Sequence, residues 1–124
     1  MKLFIILLAA LLTPAIVSTA AAAEKLQHVV SFKFKSTATA DDINKVVQAF
    51  AALQKQIPLI KSFEWGTNVS PEKKDKGFTH CFILSFKSDK DRDAYLVHPD
   101  HKAFGKLVGP LLDDVFVFDF WAKK

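Results

Sequence analysis

Residues 78–87 read FTHCFILSFK, and their side chains divide by alternation. Phe78, His80, Phe82, Leu84 and Phe86 fall on one side, Thr79, Cys81, Ile83 and Ser85 on the other. A period of two is the pattern of an extended strand with two different faces. Upstream, the polar stretch 70–77 (SPEKKDKG) predicts a loose hairpin turn, and 60–69 (IKSFEWGTNV) a strand with Phe63 and Trp65 on one face. Asn68-Val69-Ser70 has the form of a glycosylation sequon, but Pro71 follows, and the segment reads as part of that turn. Downstream, Ser88-Asp89-Lys90-Asp91 sets a hydroxyl three residues before a carboxylate, a helix start, with the helix running to about Val97. His98-Pro99 breaks it, Pro99 opens a new helical segment through Leu107, and Gly109-Pro110 stops that. Residues 115–121 (VFVFDFW) predict a further strand, with Phe116, Phe118 and Phe120 on one face.

Two more elements precede these. Residues 27–35 (QHVVSFKFK) alternate, with His28, Val30, Phe32 and Phe34 together. Thr39 and Asp42 then form a capping pair, and Ile43, Val46, Val47, Phe50, Leu53 and Ile57 recur at helical spacing before Pro58. The order is βαββαβ, a ferredoxin-like α+β fold: a four-stranded antiparallel sheet with helices on one face. The Phe-rich face is expected under the helices, where rings of that size find enough apolar surface. The other face, with Val29, Ser31, Cys81, Ile83, Ser85, Val115 and Val117, stays too apolar for water, so a homodimer built face to face is expected.

Composition agrees with one small globular domain: 124 residues, half hydrophobic, 24% charged, with a single cysteine. One cysteine excludes an intrachain disulfide framework and a Cys-rich zinc module, and in an oxidising compartment Cys81 reads as a buried thiol. Residues 1–23 read as a secretory signal peptide: a basic start at Lys2, an apolar run from Leu3 to Leu12, and small residues to Ala23. The apolar run is short of the roughly 20 residues a spanning helix needs, so no stable membrane anchor is expected after cleavage, and the address is periplasmic or secreted. The domain is then 24–124. One of the 17 basic residues, Lys2, lies in the leader, which leaves 16 against 13 acidic and a net charge of +3. These charges are scattered, so no nucleic-acid partner is expected.

The sequence resembles the stress-responsive A/B barrel domain (Dabb, dimeric α+β barrel) family. The resemblance rests on His28-Val29-Val30 with Phe32-Lys33-Phe34, on Ile57-Pro58, Trp65-Gly66 and Asn68-Val69-Ser70, and on Gly77-Phe78-Thr79-His80. Its most specific piece is 95–101 (YLVHPDH), followed by Phe104-Gly105 and Phe118-Asp119-Phe120. It implies a ferredoxin-like subunit that pairs sheet to sheet into an α/β barrel, and it does not imply a single activity. A plant polyketide cyclase of the family works without a cofactor. The resemblance to it implies a tyrosine–histidine acid–base pair at Tyr95 and His101, with further pocket histidines at His28 and His80. It also places Phe50 where the cyclase has a pocket tyrosine.

The residues can be weighed without that resemblance. His28 and His80 alternate onto the Phe-rich face, where a histidine is either a hydrogen-bonded core group or a cavity liner. They sit near the starts of two antiparallel neighbouring strands, hence toward opposite ends of the sheet, which argues against a shared metal. His98 and His101 have an H-x-x-H spacing, but no third ligand is at hand and Pro99 makes His98 a helix cap, so no metal site is expected. If Tyr95 and His101 line the helix-covered pocket, a neutral His101 takes a proton beside a carbonyl while Tyr95 orients it or donates to the enolate. Otherwise the two lock the second helix to the sheet. The expected ligand pocket comprises His28, Phe50, His80, Phe82, Tyr95 and His101, takes a small apolar or aromatic molecule and uses no cofactor. The alternatives are a cofactor-independent cyclase or isomerase with His101 and Tyr95 as catalytic pair, and a stress-protective oligomer.

Overall fold

The strand that carries His28, β1 (Leu26–Phe34), lies between two others, so both its edges are hydrogen-bonded to neighbouring strands. The computed structural model describes residues 24–124, with residue 10 and residues 12–16. The leader expected at 1–23 lies largely outside the described residues. After β1 come α1 (Ala40–Gln56), β2 (Ser62–Thr67), β3 (His80–Phe86), α2 (Asp89–Leu96), α3 (Pro99–Val108), a short 3-10 turn (Gly109–Leu111) and β4 (Leu112–Trp121). The sheet order is β2-β3-β1-β4, every neighbouring pair antiparallel. No helix among the described residues is long and apolar enough to cross a membrane.

Local chemistry sets the helix boundaries. At α1, Asp42 N–H donates to Thr39 Oγ1 at 3.1 Å and Thr39 N–H to Asp42 Oδ2 at 3.0 Å, a reciprocal cap on otherwise orphaned donors. Ser88 caps α2 by accepting from Asp91 N–H at 3.0 Å. His98 caps α3 as expected: its Nδ1 accepts from Asp100 N–H at 3.1 Å, and Pro99 fills the first helical position, where a missing N–H costs nothing. The apolar stripe of α1 (Val46, Val47, Phe50, Leu53) packs on the sheet over Val30, Phe32, Phe82 and Leu84, with Phe104 of α3 beside it. Each buried ring or branched chain there contributes about 1.5–3 kcal/mol.

Register corrects the expectation for β4. Val30 pairs with Val117, Phe32 with Val115 and His28 with Asp119, so Val115, Val117 and Asp119 share the helix-covered side with His28. Phe116, Phe118 and Phe120 point to the open side, opposite Ser31, Val29 and Gln27, and are 51%, 56% and 42% exposed. The large rings therefore do not mark the covered face of this strand. The two valines occupy it instead, and their small side chains leave room beneath α2 and α3. Phe78 also departs from its expected row. β3 begins only at His80, after a turn in which Lys73, Lys76 and Gly77 take positive φ, and the Phe78 ring meets Phe116 edge-on at 6.5 Å. Glycine is needed at 77: its φ is +85°, and a Cβ there would stand 2.8 Å from Lys33 Cε. Cys81 is half-buried on the open side rather than in the core.

Candidate functional site

The small side chains of β4 and the helices above them line an open cavity of about 440 Å³, in which Val115 and Val117 stay 47% and 53% exposed. One end is apolar, with Phe32, Phe50, Phe104, Val108, Val115 and Val117. At the other end lie His28, Arg92, Asp93, Tyr95, His101 and Asp119. The polar end draws on four elements, β1, β4, α2 and α3.

His28 reaches it from β1 and is 4% exposed. Its strand neighbour Asp119 accepts from His28 Nδ1 at 2.6 Å and, through its other oxygen, from Arg92 Nη1 at 3.0 Å. Because a carboxylate can only accept, the proton of that first bond belongs to Nδ1. Arg92 is fastened again on its far side, where Nε and Nη2 lie 3.1 and 3.0 Å from Asp93 Oδ1. The hydrogen bond to Asp119, more than any other contact, keeps the guanidinium charged beyond its ordinary range.

Tyr95, three residues after Arg92 on the same face of α2, is wholly buried. Its ring stands edge-on to His28 at 5.9 Å and tilted against His101 at 4.5 Å. The hydroxyl finds no hydrogen-bond partner among the described residues, and burial pushes its pKa well above the usual phenol value. It therefore stays a donor. His101 lies in the first turns of α3, and its Nδ1 is 3.0 Å from the carbonyl oxygen of Leu96 at the end of α2. Burial, more than any other cause, lowers the His101 pKa. Charge on His28 or His98 acts the same way, and the bond to Leu96 opposes them. The neutral ring gives Nδ1–H to that carbonyl and keeps the Nε2 lone pair. The polar end thus offers a proton-accepting imidazole beside an uncommitted phenolic donor.

Of the residues expected to line a pocket, His28, Phe50, Tyr95 and His101 come together here, while His80 and Phe82 do not. Phe82 is completely buried among Phe32, Phe50 and Trp65, with the Phe50 ring stacked on it at 4.5 Å, and is core. His80 pairs across the sheet with Phe32, four residues along β1 from His28, a separation of about 13 Å. Its ring lies parallel to Trp65 and edge-on to Phe34, its Nδ1 bonds Thr79 Oγ1 at 2.8 Å, and it lines a different cleft with Asn68, Thr79 and Cys81. The phenylalanine cluster stands between the two histidines. Reading the sequence missed Arg92, Asp93 and Asp119 as site residues. Asp119 did carry a signal: it is the only charged residue in 115–121, and alternation groups it with Val115 and Val117. A carboxylate inside an apolar strand requires a partner, and that requirement marks its face as the one to inspect.

An antiparallel sheet in the order β2-β3-β1-β4, helices on one side and a histidine-bearing cavity beneath them, defines a ferredoxin-like α+β protein. The family model for the Stress Responsive A/B Barrel Domain, Dabb, matches residues 26–122, and the chain belongs to that family. It is 27% identical over 99 residues to olivetolic acid cyclase of Cannabis sativa, an alignment spanning 80% of this chain and 98% of the cyclase. Hydroxynitrile lyase from Passiflora edulis superposes with a TM-score of 0.78 at 26% identity, covering 82% of this chain and 96% of the lyase. A dimeric ferredoxin-like protein from Jannaschia sp. superposes with a TM-score of 0.69 at 25% identity, covering 77% and 97% of the respective chains.

Proposed function

We propose that the protein is an exported homodimer whose cavity holds a small apolar or aromatic carbonyl compound, and that His101 moves a proton on it. In this reading His101 Nε2 removes a proton from the carbon next to the carbonyl. The C–H electron pair passes into the carbonyl, and the enolate oxygen accepts a hydrogen bond from Tyr95 O–H. The imidazolium then returns the proton to carbon or to another atom of the same molecule, so the step balances with groups of the chain alone. The apolar end would hold the hydrocarbon body of the ligand.

The observation that carries this reading is the Tyr95 hydroxyl: buried, without a partner among the described residues, and beside an imidazole whose Nδ1 is already engaged. A buried orphan hydroxyl costs about 1–3 kcal/mol, and a ligand oxygen at that point would relieve it. The same orphan counts against a purely structural oligomer and against Tyr95 as a lock between helix and sheet. The names of the two enzyme relatives, a cyclase and a lyase, agree with chemistry in such a pocket. Pairing of two copies is supported by the half-exposed Phe116, Phe118 and Phe120 and by the dimeric neighbour. Export is supported by the apolar run and small residues of 1–23, and N-terminal sequencing of the protein recovered from outside the cytoplasm tests it.

The central test is deuterium uptake at the α-carbon of a panel of small aryl ketones in heavy water, followed by mass spectrometry. Exchange above buffer with the wild type, lost in His101→Ala, is the expected result. No exchange with any probe in the wild type overturns the proton-transfer reading. Thermal stabilisation by a ketone without exchange would leave a binding protein, the reading that the apolar lining of the cavity also favours.

A further inference from the structure

We propose that Arg92 is a positioning residue: through the Asp119 carboxylate it fixes His28 as the Nδ1–H tautomer and so presents His28 Nε2 to the cavity as a second proton acceptor. This deepens the proton-transfer reading and depends on it only for the use made of that acceptor; the positioning belongs to the protein with nothing bound.

A neutral histidine has two tautomers, and its surroundings choose between them. His28 is edge-on to Phe86 from β3 and to Tyr95 from α2, and neither contact distinguishes one nitrogen from the other. The choice therefore falls to Asp119 on β4. A carboxylate with one oxygen on His28 and the other free can rotate, and rotation releases Nδ1. Arg92 removes that freedom. Its Nη1 holds Asp119 Oδ2 at 3.0 Å, while its Nε and Nη2 lie against Oδ1 of the more exposed Asp93, so the guanidinium is contacted on both sides. The contact is shielded as well, the Arg92 and Asp119 side chains being 23% and 21% exposed, so it is not a solvated surface pair of negligible effect. Helical spacing completes the device. Arg92 and Tyr95 stand three apart on α2, so one helix face supplies both the brace for His28 and the donor hydroxyl.

The test is nitrogen-15 NMR of the imidazoles in the full-length, ligand-free protein at neutral pH, with the His28 signals assigned by their disappearance in His28→Gln. In the wild type, His28 is expected as a single Nδ1–H tautomer. In Arg92→Gln it becomes a mixture of both tautomers, and Arg92→Lys, which keeps a cation beside Asp119, recovers most of the Nδ1–H form. The His101 signals, set by the Leu96 carbonyl, stay unchanged in all three and report that the fold is intact. An Nε2–H or mixed His28 in the wild type overturns the proposal without any variant, and so does a wild-type spectrum in Arg92→Gln. Ketone exchange separates the two readings. The expected NMR result in a protein that exchanges no ketone retires the proton-transfer reading and leaves the positioning intact. Exchange by a protein whose His28 ignores Arg92 does the reverse.

Discussion

His101 Nδ1 lies 3.0 Å from the carbonyl oxygen of Leu96, a bond that ties the first turns of α3 to the end of α2. It decides which nitrogen of the ring can act as a base, and burial decides when. The protonated ring has no lone pair to accept with, so catalysed exchange should rise with pH. Because the His101 pKa is lowered, the midpoint should fall below 6.5, the ordinary histidine value. A pH profile of ketone exchange checks this, and a midpoint above 6.5 would contradict it.

The same shift has a consequence for stability. A histidine whose folded pKa lies below its unfolded value leaves the unfolded chain binding more protons in the interval between them. Its contribution is therefore intact above about 6.5 and is lost as pH falls through the folded value. His80, also lowered by burial, acts in the same direction. Urea denaturation at a series of pH values should show stability declining on acidification, with a shallower decline in His101→Gln than in the wild type.

Tyr95→Phe removes a hydroxyl that has no partner among the described residues while keeping the ring against His28 and His101. The ligand-free variant should be about 1 kcal/mol more stable than the wild type in chemical denaturation. Ketone exchange should fall at the same time. Stability and activity moving in opposite directions distinguishes a group held for a ligand from one that braces the helix, since loss of a brace lowers both.

Phe118→Asp addresses the open face. The side chain is 56% exposed in the single subunit, so the subunit itself should fold with little loss. In a face-to-face dimer the new carboxylate would be buried without a partner, which is costly. Sedimentation should then show a dimer for the wild type and a monomer for the variant. A monomeric wild type would remove the pairing.

His80→Gln and Phe82→Ala separate the ring cluster from the cavity. His80 lies beyond the cluster, so its replacement should leave exchange within about twofold of the wild type. Phe82 is fully buried against Phe50 and Phe32, and its truncation should cost about 3–5 kcal/mol of stability. A large loss of exchange in a stable His80→Gln protein would place that histidine in the chemistry after all.

What the chain determined by itself was local. Alternation of period two, capping pairs at Thr39 and Ser88, and Pro99 after His98 act within a few residues of themselves, so the element order and the capped helix starts could be read directly. The stripe of α1 and the inward row of β1 are equally local, and through them His28 and Phe50 could be seen to face the helix-covered side. Which face of β4 turns inward was decided only by tertiary structure. Alternation defines two faces without saying which is covered, and a one-residue slip in the pairing of β4 with β1 exchanges them. Ring size pointed the wrong way there, because the open sheet holds Phe116, Phe118 and Phe120 outward while Val115 and Val117 leave space for a cavity. The same register brings Asp119 beside His28, and the packing of α2 brings Arg92 onto Asp119. The two contacts to Asp119 span 27 positions from Arg92 and 91 from His28, and no local pattern carries information across such distances.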